Sequence, residues 1–393
     1  MSKTVVLSYS GGLDTSVCVK WLVERGWRVV AFMANVGQGE PSAAAIRRAK
    51  IAGASRVIVR DLRREFVADF VWPALKAHAV YEGKYLLATA LSRPLIAKHL
   101  VEVAHAVGAK AVAHGCTGKG NDQVRFEVTA RILDPALAQV APVREWSFRS
   151  REEEIDYAKR HKIPITVTKR SPYSIDQNLW GTSIEAGPLE NPWTEPAADT
   201  YRSILSPERA AARPGYVVIG FERGIPVALN GRRLPALTLI ARLNALGRRH
   251  AIGRSDMMES RVVGIKSREI YEAPAATILL EAHAELERLV FDRELLAVKS
   301  GLGAVYARLV YGGLWFTPLK RALDAFVDAT QRRVFGRVRV KLYKGTCQVV
   351  GRGSPHSLYR ERLATYSAKD QFDQRAAAGF IKLYGLPYEK GVQ

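Results

Sequence analysis

Runs of apolar, β-branched residues alternate with stretches of helical spacing through the first 168 residues. The first run, Thr4–Ser8, predicts a buried strand, and Asp14–Arg25 predicts a helix because Val17, Trp21 and Leu22 fall on one face. The same alternation predicts strands at Trp27–Ala34, Arg56–Val59, Lys110–His114 and Ile163–Thr168, and helices at Ser42–Ala52, Arg63–Ala79, Ser92–Val107, Asp122–Ile132 and Glu152–His161. Repeated β-α units of this length indicate an α/β fold, a parallel doubly wound sheet with helices on both faces.

The pattern changes near residue 170. Ser171–Pro214 is rich in Pro, Gly, Asn and Trp and is predicted to be irregular. Hairpins follow around Arg223-Gly224 and Lys344-Gly345, and the helical segments are Leu234–Leu246 and Ala273–Asp324. We therefore expect three units: an α/β domain over residues 1–168, an α+β domain over 169–366, and an amphipathic helical arm over 367–393.

Composition places the chain among folded proteins of several domains. It has 393 residues, 48% of them hydrophobic and 25% charged. No apolar run approaches the ~20 residues that a membrane-spanning helix needs. The apolar run at the N-terminus is too short for a secretory signal, so we expect a cytoplasmic protein. The three cysteines, Cys18, Cys116 and Cys347, lack metal-ligand spacing, so neither a disulfide framework nor a zinc site is expected.

The formal net charge of +21 is the one unusual bulk property. It permits three interpretations: a polyanion partner such as tRNA, attraction of small anionic substrates, or a solvated arginine-rich surface without a partner. No cluster of aromatic and basic residues stands out, so a nucleic-acid partner is not favoured.

A glycine-containing loop, Ser10–Ser16, lies between the first predicted strand and helix. Its adjacent glycines allow the backbone to approach an anion closely, and the helix directs free N–H groups and its positive dipole end to the same point. The loop hydroxyls add donors. This arrangement predicts a phosphate cradle, but not a Walker loop, because the Gly-Lys-Ser/Thr ending is missing.

A second polar segment, His114–Glu127, follows a predicted strand end and begins a helix. Open parallel sheets place ligands at this edge, outside the carboxyl ends of the strands. Arg125 falls one helical turn after Asn121 and Asp122, so the three side chains can face one pocket.

These motifs carry a family resemblance. Ser10–Ser16 resembles the pyrophosphate-binding loop of the N-type ATP pyrophosphatases, which split ATP to AMP and pyrophosphate while adenylating a substrate. His114–Glu127 closely matches the signature of the argininosuccinate synthase family within that superfamily. Three further stretches match the same family: Tyr81–Leu87, Ser92–His99 and Ile265–Glu272. The resemblance runs from Val5 to at least Tyr384.

The resemblance implies a ligase that joins citrulline and aspartate with ATP through a citrullyl-adenylate, releasing AMP and pyrophosphate. It implies that the first unit binds the nucleotide, that the second is a synthetase domain, and that the C-terminal arm assembles a homotetramer. Mg²⁺ is expected with ATP. The sequence shows no dedicated protein cage for a metal, as expected when phosphates supply the ligands.

The resemblance also implies site residues. ATP-binding positions are Ser8, Tyr9, Ser10, Gly11, Gly12, Leu13, Asp14, Thr15, Ser16, Ala34 and Gly115. Aspartate-binding positions are Thr117, Asn121 and Asp122. Citrulline-binding positions are Tyr85, Asn121, Arg125, Ser174, Ser183, Glu259 and Tyr271. Asp14, Asp122 and Arg125 are expected to be catalytic. Some relatives carry a serine where this chain has Ala90, and the neighbouring Thr89 is expected to compensate.

Two other readings remain open from the sequence. A tRNA-thiolating enzyme of the same superfamily would suit the charge, but Cys18 and Cys116 form no obvious reactive pair. A nucleotide-binding protein without turnover is the other reading. The intact set of polar motif residues argues against it.

Overall fold

The computed structural model describes residues 3–39, 42–164, 172–389 and 391. Its first sheet has five parallel strands in the order β3-β2-β1-β4-β5. These strands are β1 (Thr4–Ser8), β2 (Arg28–Asn35), β3 (Arg56–Asp61), β4 (Ala111–His114) and β5 (Ala138–Val140). Val5 and Leu7 point into one hydrophobic cluster and Val6 into another, because side chains alternate between the two faces of a strand. The sheet is therefore covered on both faces.

Helices connect these strands and cover the sheet. They are α1 (Leu13–Glu24), α2 (Ala43–Ile51), α3 (Arg63–Glu65), α4 (Trp72–Lys76), α5 (Ala88–Ala106), α6 (Asn121–Leu133), α7 (Pro142–Glu145) and α8 (Arg151–Arg160). A π-helical turn, Phe66–Val71, joins α3 to α4 and completes the helical stretch that the sequence predicted there. The predicted α/β doubly wound fold is confirmed. The predicted strand Ile163–Thr168 lies largely outside the described residues.

The second part of the chain contributes two antiparallel sheets. Its strands are β6 (Ser174–Gln177), β7 (Thr182–Glu185), β8 (Gly215–Glu222), β9 (Ile225–Leu229), β10 (Arg232–Arg233), β11 (Arg254–Ser260), β12 (Lys266–Glu272), β13 (Gly336–Tyr343) and β14 (Thr346–Gly353). One sheet has the order β10-β9-β8-β13-β14, and the other has the order β11-β12-β7-β6. Both predicted hairpins are confirmed, and Arg223 and Gly224 have the positive φ angles that a tight hairpin turn favours.

Helices of the second part pack beside these sheets. They are α9 (Ala236–Arg249), α10 (Pro274–Val290), α11 (Arg293–Tyr311), α12 (Pro318–Gln331), α13 (Glu361–Ala364) and α14 (Gln374–Gly385). Short 3₁₀ turns occur at Gly187–Glu190, Ala198–Thr200 and Leu386–Tyr388. The predicted helical span Ala273–Asp324 is divided into three helices, because Asp292 and Thr317 cap new helix starts through their side chains.

The prediction that Ser171–Pro214 is irregular was wrong in part. It contains β6 and β7, which pair with each other, and β7 also pairs with β12 of the β11–β12 hairpin, which the sequence likewise failed to indicate. The physical reason is visible in the strands themselves: SIDQ and RSDMMES are mostly polar, and their residues Ser174, Asp176 and Glu259 line a cleft. Such strands lack the apolar alternation by which half-buried strands are recognised.

The amphipathic C-terminal helix is present as α14. Its large apolar side chains are exposed, with 64% of Phe380 and 72% of Leu383 accessible. None of the helices in the described part of the chain combines the length and the apolarity needed to cross a membrane.

Candidate active site

A cleft of about 880 Å³ lies at the carboxyl ends of β1, β2 and β4, and strands of the polar sheet β11-β12-β7-β6 form its other wall. This is the edge where open α/β sheets bind ligands. The cleft therefore joins the two large parts of the chain.

The loop between β1 and α1 is shaped by its own hydrogen bonds. The Ser10 and Thr15 hydroxyls lie 3.1 Å apart, and the Ser16 hydroxyl donates to the Gly12 carbonyl at 2.6 Å. Gly11 has a φ of +84°, and a Cβ there would lie 2.8 Å from Cβ of Ala45. Only glycine fits this position without strain, and its lack of a side chain lets the loop backbone pack close to the start of α2.

Most of the predicted site residues line this one cleft. They are Ser8, Tyr9, Ser10, Gly11, Asp14, Thr15, Ala34, Tyr85, Gly115, Thr117, Asn121, Asp122, Arg125, Ser174, Ser183, Glu259 and Tyr271. Gly12, Leu13 and Ser16 are not among the lining residues. Leu13 and Ser16 are buried at the base of the loop, where the Ser16 hydroxyl also contacts the Tyr9 hydroxyl. Their roles remain predictions.

An arginine–carboxylate cluster crosses the cleft. Arg93 on α5 lies 2.8 Å from an Asp122 oxygen and also pairs with Asp176 of β6. The other Asp122 oxygen accepts from Arg125 at 2.9 Å. Burial alone would raise the pKa of Asp122, but the two guanidiniums outweigh it and lower that pKa. Asp122 is therefore firmly held as a carboxylate.

Glu259 is a buried carboxylate enclosed by hydroxyl groups. One of its oxygens accepts from the Tyr311 hydroxyl at 2.7 Å, and the other accepts from the Tyr271 hydroxyl. Asn121 donates to the same tyrosine, Tyr311, at 2.7 Å. Burial, followed by the charge of Glu259, raises the pKa of Tyr311, so this hydroxyl remains a donor.

Three arginines of the cleft pair with carboxylates other than Glu259. Arg125 pairs with Asp122, and Arg261 pairs with Glu185 and Glu269. Within the described part of the chain, no salt bridge reaches Glu259. A buried anion in this setting suits a ligand that carries N–H groups or a positive charge.

Stacked rings support this region. Tyr85 packs on Tyr271 with ring centroids 4.2 Å apart, and its hydroxyl accepts from the backbone of Thr89 and Ala90. Thr89 lines the cleft and lies 3.3 Å from the Ser183 hydroxyl, whereas Ala90 is fully buried. The expected compensation by Thr89 remains a prediction.

A second carboxylate pair lies beside Arg261. Burial, and then the charge of Glu185, raises the pKa of Glu269 to about 9. Glu269 and Glu185 therefore share the one guanidinium of Arg261.

Several cleft residues were absent from the sequence prediction: Arg93, Asp176, Glu185, Arg261 and Glu269. Arg93 lies inside the motif Ser92–His99 and Glu269 lies inside Ile265–Glu272, so both motifs contained a usable signal. Asp176, Glu185 and Arg261 fall outside the quoted motifs. Their convergence depends on strand pairing between distant segments.

A phosphate-type loop on a doubly wound sheet defines a nucleotide-binding domain, and comparison with known proteins specifies its kind. Residues 4–164 match the family described as the arginosuccinate synthase N-terminal HUP domain, and residues 173–390 match the arginosuccinate synthase C-terminal domain. The chain belongs to the argininosuccinate synthase family, whose members are ligases.

Individual relatives agree over nearly the full length. The argininosuccinate synthase of Rubrobacter xylanophilus is 57% identical over 385 residues, which cover 98% of this chain and 94% of that protein. The argininosuccinate synthase of Aquifex aeolicus is 55% identical over 387 residues, 98% of this chain and 96% of that protein. These full-length matches do not favour the alternative of a tRNA-thiolating enzyme. Among solved structures, a 4-thiouridine synthetase–RNA complex with bound ATP matches 40% of this chain and 40% of that chain, with 16% identity and a TM-score of 0.31.

The hydroxyl enclosure of Glu259 generates a stability prediction. Tyr311→Phe removes a donor from a carboxylate that makes no salt bridge with any residue that the structure describes, and should lower the free energy of unfolding by about 2–3 kcal/mol. Tyr306→Phe is the matched control. Its hydroxyl donates to Asp324, and in the variant Asp324 still accepts from the Lys320 ammonium. The free energy of unfolding should therefore fall by only about 1 kcal/mol. Denaturant unfolding of both variants measures the difference, and equal losses would contradict it.

Proposed function

We propose that this chain catalyses the ATP-dependent joining of citrulline and aspartate to argininosuccinate through a citrullyl-adenylate. The observation that carries the proposal is the single cleft that joins the phosphate-type loop to the enclosed Glu259 and to the arginine–carboxylate cluster. The loop suits the polyphosphate of ATP, and Glu259 suits the neutral ureido group of citrulline. The arginine–carboxylate cluster suits the charged groups of the two amino acids.

The loop end of the cleft would receive ATP. Free N–H groups at the start of α1 and its dipole favour phosphate oxygens there. Gly115 would lie close to the nucleotide, and a Cβ at Gly115 would come within 3.0 Å of Thr15, so glycine keeps the two loops closely packed. Ala34, at the end of β2, completes the proposed nucleotide wall.

The opposite end would receive citrulline. Arg125 is 3% exposed and would bind a carboxylate through charge-assisted hydrogen bonds. Glu259 would accept N–H groups from the ligand, and its tyrosine hydroxyls would hold it in place. With citrulline and ATP bound together, the ureido oxygen attacks the α-phosphorus, and pyrophosphate leaves.

Aspartate would bind at Thr117, Asn121 and Asp122, on the turn that begins α6. Its amine then attacks the activated ureido carbon, and AMP departs with the ureido oxygen. The proposed chemistry depends mainly on positioning and on electrostatic stabilisation, which are sufficient for large rate enhancements.

Mg²⁺ is proposed to accompany ATP, and it would neutralise phosphate charge. Among the described residues, no group of three or more His, Cys, Asp or Glu side chains is arranged to hold a metal. Asp14, in the first turn of α1, lines the loop end of the cleft. This donor set fits an ion that is held mainly by phosphates, with one carboxylate of the protein nearby.

We also propose a cytoplasmic homotetramer. The exposed apolar residues of α14 support a role for residues 367–393 in assembly, because an amphipathic helix gains stability by covering its apolar face. The proposed nucleotide-binding and synthetase domains span residues 1–168 and 169–366, and their junction falls in the undescribed stretch 165–171.

The proposed reaction is tested by isotope transfer. Citrulline that carries heavy oxygen in its ureido group should deliver this oxygen to AMP, because the oxygen bonds to the α-phosphorus and leaves with it. Mass spectrometry of AMP from the complete reaction measures the transfer. Heavy oxygen in water or pyrophosphate, with none in AMP, would exclude the adenylate route.

The loop is tested at Gly12. A Cβ at this position meets only the Ser10 hydroxyl, at 3.4 Å, so Gly12→Val should fold normally. Its methyl groups would obstruct the proposed phosphate position, and pyrophosphate release should fall by at least about 100-fold.

Gly353→Val is the matched control for this variant. A Cβ at Gly353, at the end of β14, has no neighbour within 4 Å, and the residue lies outside the cleft lining. Its pyrophosphate release should match that of the wild type. Circular dichroism checks both folds, and full turnover in Gly12→Val would show that the loop has only a structural role.

A further inference from the structure

Four arginines line the cleft, and one of them differs from the others in its partners. Arg93, Arg125 and Arg261 form salt bridges with carboxylates. Arg48 of α2 pairs with no carboxylate among the described residues, and its hydrogen bonds go to two backbone carbonyls. A carbonyl carries no net charge, so it does not neutralise a guanidinium. Arg48 therefore brings to the cleft a positive charge that no described carboxylate compensates.

Helix α2 holds Arg48 beside the phosphate-type loop. A Cβ at Gly11 would lie only 2.8 Å from the Ala45 Cβ, and the Ala45 carbonyl accepts from the Tyr9 hydroxyl at 3.3 Å. Arg48 follows Ala45 by three residues, so both side chains lie on one face of the helix. The Nη1 of Arg48 donates to the Gly11 carbonyl, and its Nε donates to the Pro164 carbonyl at 2.6 Å. These contacts fix the guanidinium at the loop end of the cleft.

The guanidinium of Arg48 retains donors for a ligand. In the described part of the chain, one N–H group of Nη1 and that of Nε donate to carbonyls. The remaining N–H groups, including those of Nη2, have no acceptor there. The side chain is half-buried and lines the cleft. Guanidinium groups bind phosphate oxygens through paired, charge-assisted hydrogen bonds, so the free side of Arg48 suits a phosphate.

The charge of Arg48 also acts on the loop. Burial raises the pKa of Tyr9, and the hydrogen bond with Ser16 and then the charge of Arg48 oppose this rise. Arginine remains protonated throughout the pH range of enzymes, so this positive charge is permanent. Asp14 lines the same end of the cleft with the opposite charge, so it cannot replace Arg48 as a partner for phosphate oxygens.

The proposed reaction develops negative charge at this end of the cleft. The ureido oxygen of citrulline bonds to the α-phosphorus, and the bond from this phosphorus to the oxygen that bridges it to the β-phosphorus breaks. The bridging oxygen keeps the electron pair, so negative charge grows on the leaving pyrophosphate. A fixed cation placed where charge develops lowers the barrier.

We propose that Arg48 is a further catalytic residue, whose guanidinium binds the pyrophosphate and stabilises its growing charge. The uncompensated charge and the unused N–H groups at the loop carry the inference. It rests on the proposed function, since it requires ATP to be cleaved between its α- and β-phosphorus atoms in this cleft.

The experiment first varies the charge at position 48. Wild type, Arg48→Gln and Arg48→Lys, each in saturating excess over ATP, receive citrulline and aspartate, and rapid quenching follows the loss of ATP in a single turnover. In Arg48→Gln the rate should fall about 100-fold, the usual effect of removing one donor to a developing charge. Arg48→Lys keeps the charge, so its rate should stay within about tenfold of wild type.

Two analogues of ATP then separate a catalytic charge from mere support of the loop. β,γ-Methylene-ATP releases a leaving group more basic than pyrophosphate, and β,γ-difluoromethylene-ATP releases a less basic one. Without the Arg48 guanidinium, the leaving group must hold more of the charge itself. The loss of rate in Arg48→Gln, relative to wild type, should therefore be larger with the methylene analogue than with ATP, and smaller with the difluoromethylene analogue.

The control is Arg47→Gln, which removes the charge of the exposed neighbour on α2, outside the cleft lining. Its rates with all three nucleotides should match those of wild type. Circular dichroism checks each fold, and Arg48→Met repeats the test as a second uncharged variant.

Three results would overturn the inference. An equal loss of rate with all three nucleotides would show that Arg48 only maintains the shape of the loop. A higher KM for ATP with an unchanged single-turnover rate would limit the residue to binding ATP before the reaction. Unchanged constants would remove it from the reaction. A wild-type enzyme that cleaves no ATP with citrulline and aspartate would instead refute the proposed function, and this measurement comes first.

Discussion

The two guanidiniums on Asp122 are the interaction on which the rest of the site depends. Charged groups leave water at a high free-energy cost, so Arg93, Arg125 and the aspartates can sit deep in the cleft only as partners. Arg93 comes from α5, Asp122 from α6 and Asp176 from β6. Their pairing therefore requires the parallel sheet and the polar antiparallel sheet to meet at this place.

A second consequence concerns the helices around the cleft. The Nε of Arg125 donates to the carbonyl of Tyr311 at 2.9 Å, at the end of α11, and its guanidinium lies over the ring of that residue. Tyr311 in turn donates to Glu259 of β11. One connected set of hydrogen bonds thus joins α6, α11 and β11. The distant parts of the chain are held together by groups that also define the proposed substrate pockets.

The central strands β1, β2 and β4 of the parallel sheet were predictable because they are buried on both faces. Thr4–Ser8 and its neighbours show apolar runs between glycine-rich turns, and this signal is local in the sequence. The β6–β7 and β11–β12 pairs were missed for the opposite reason. Their cleft-facing side chains are polar, and the energy that orders them comes from partners far away in the chain.

The sequence by itself determined the α/β fold, the loop Ser10–Ser16 and the family, because each is encoded in contiguous residues. Most of the site residues that it indicated line one cleft. Only the tertiary structure decided how charge is distributed among the cleft residues. It shows that two guanidiniums pair with Asp122, that tyrosine hydroxyls enclose Glu259, and that Asp176 lines the same cleft. Apart from the Arg125–Asp122 contact, which spans three positions, these properties arise from contacts between residues 12 to 83 positions apart, and burial strengthens each of them by excluding water.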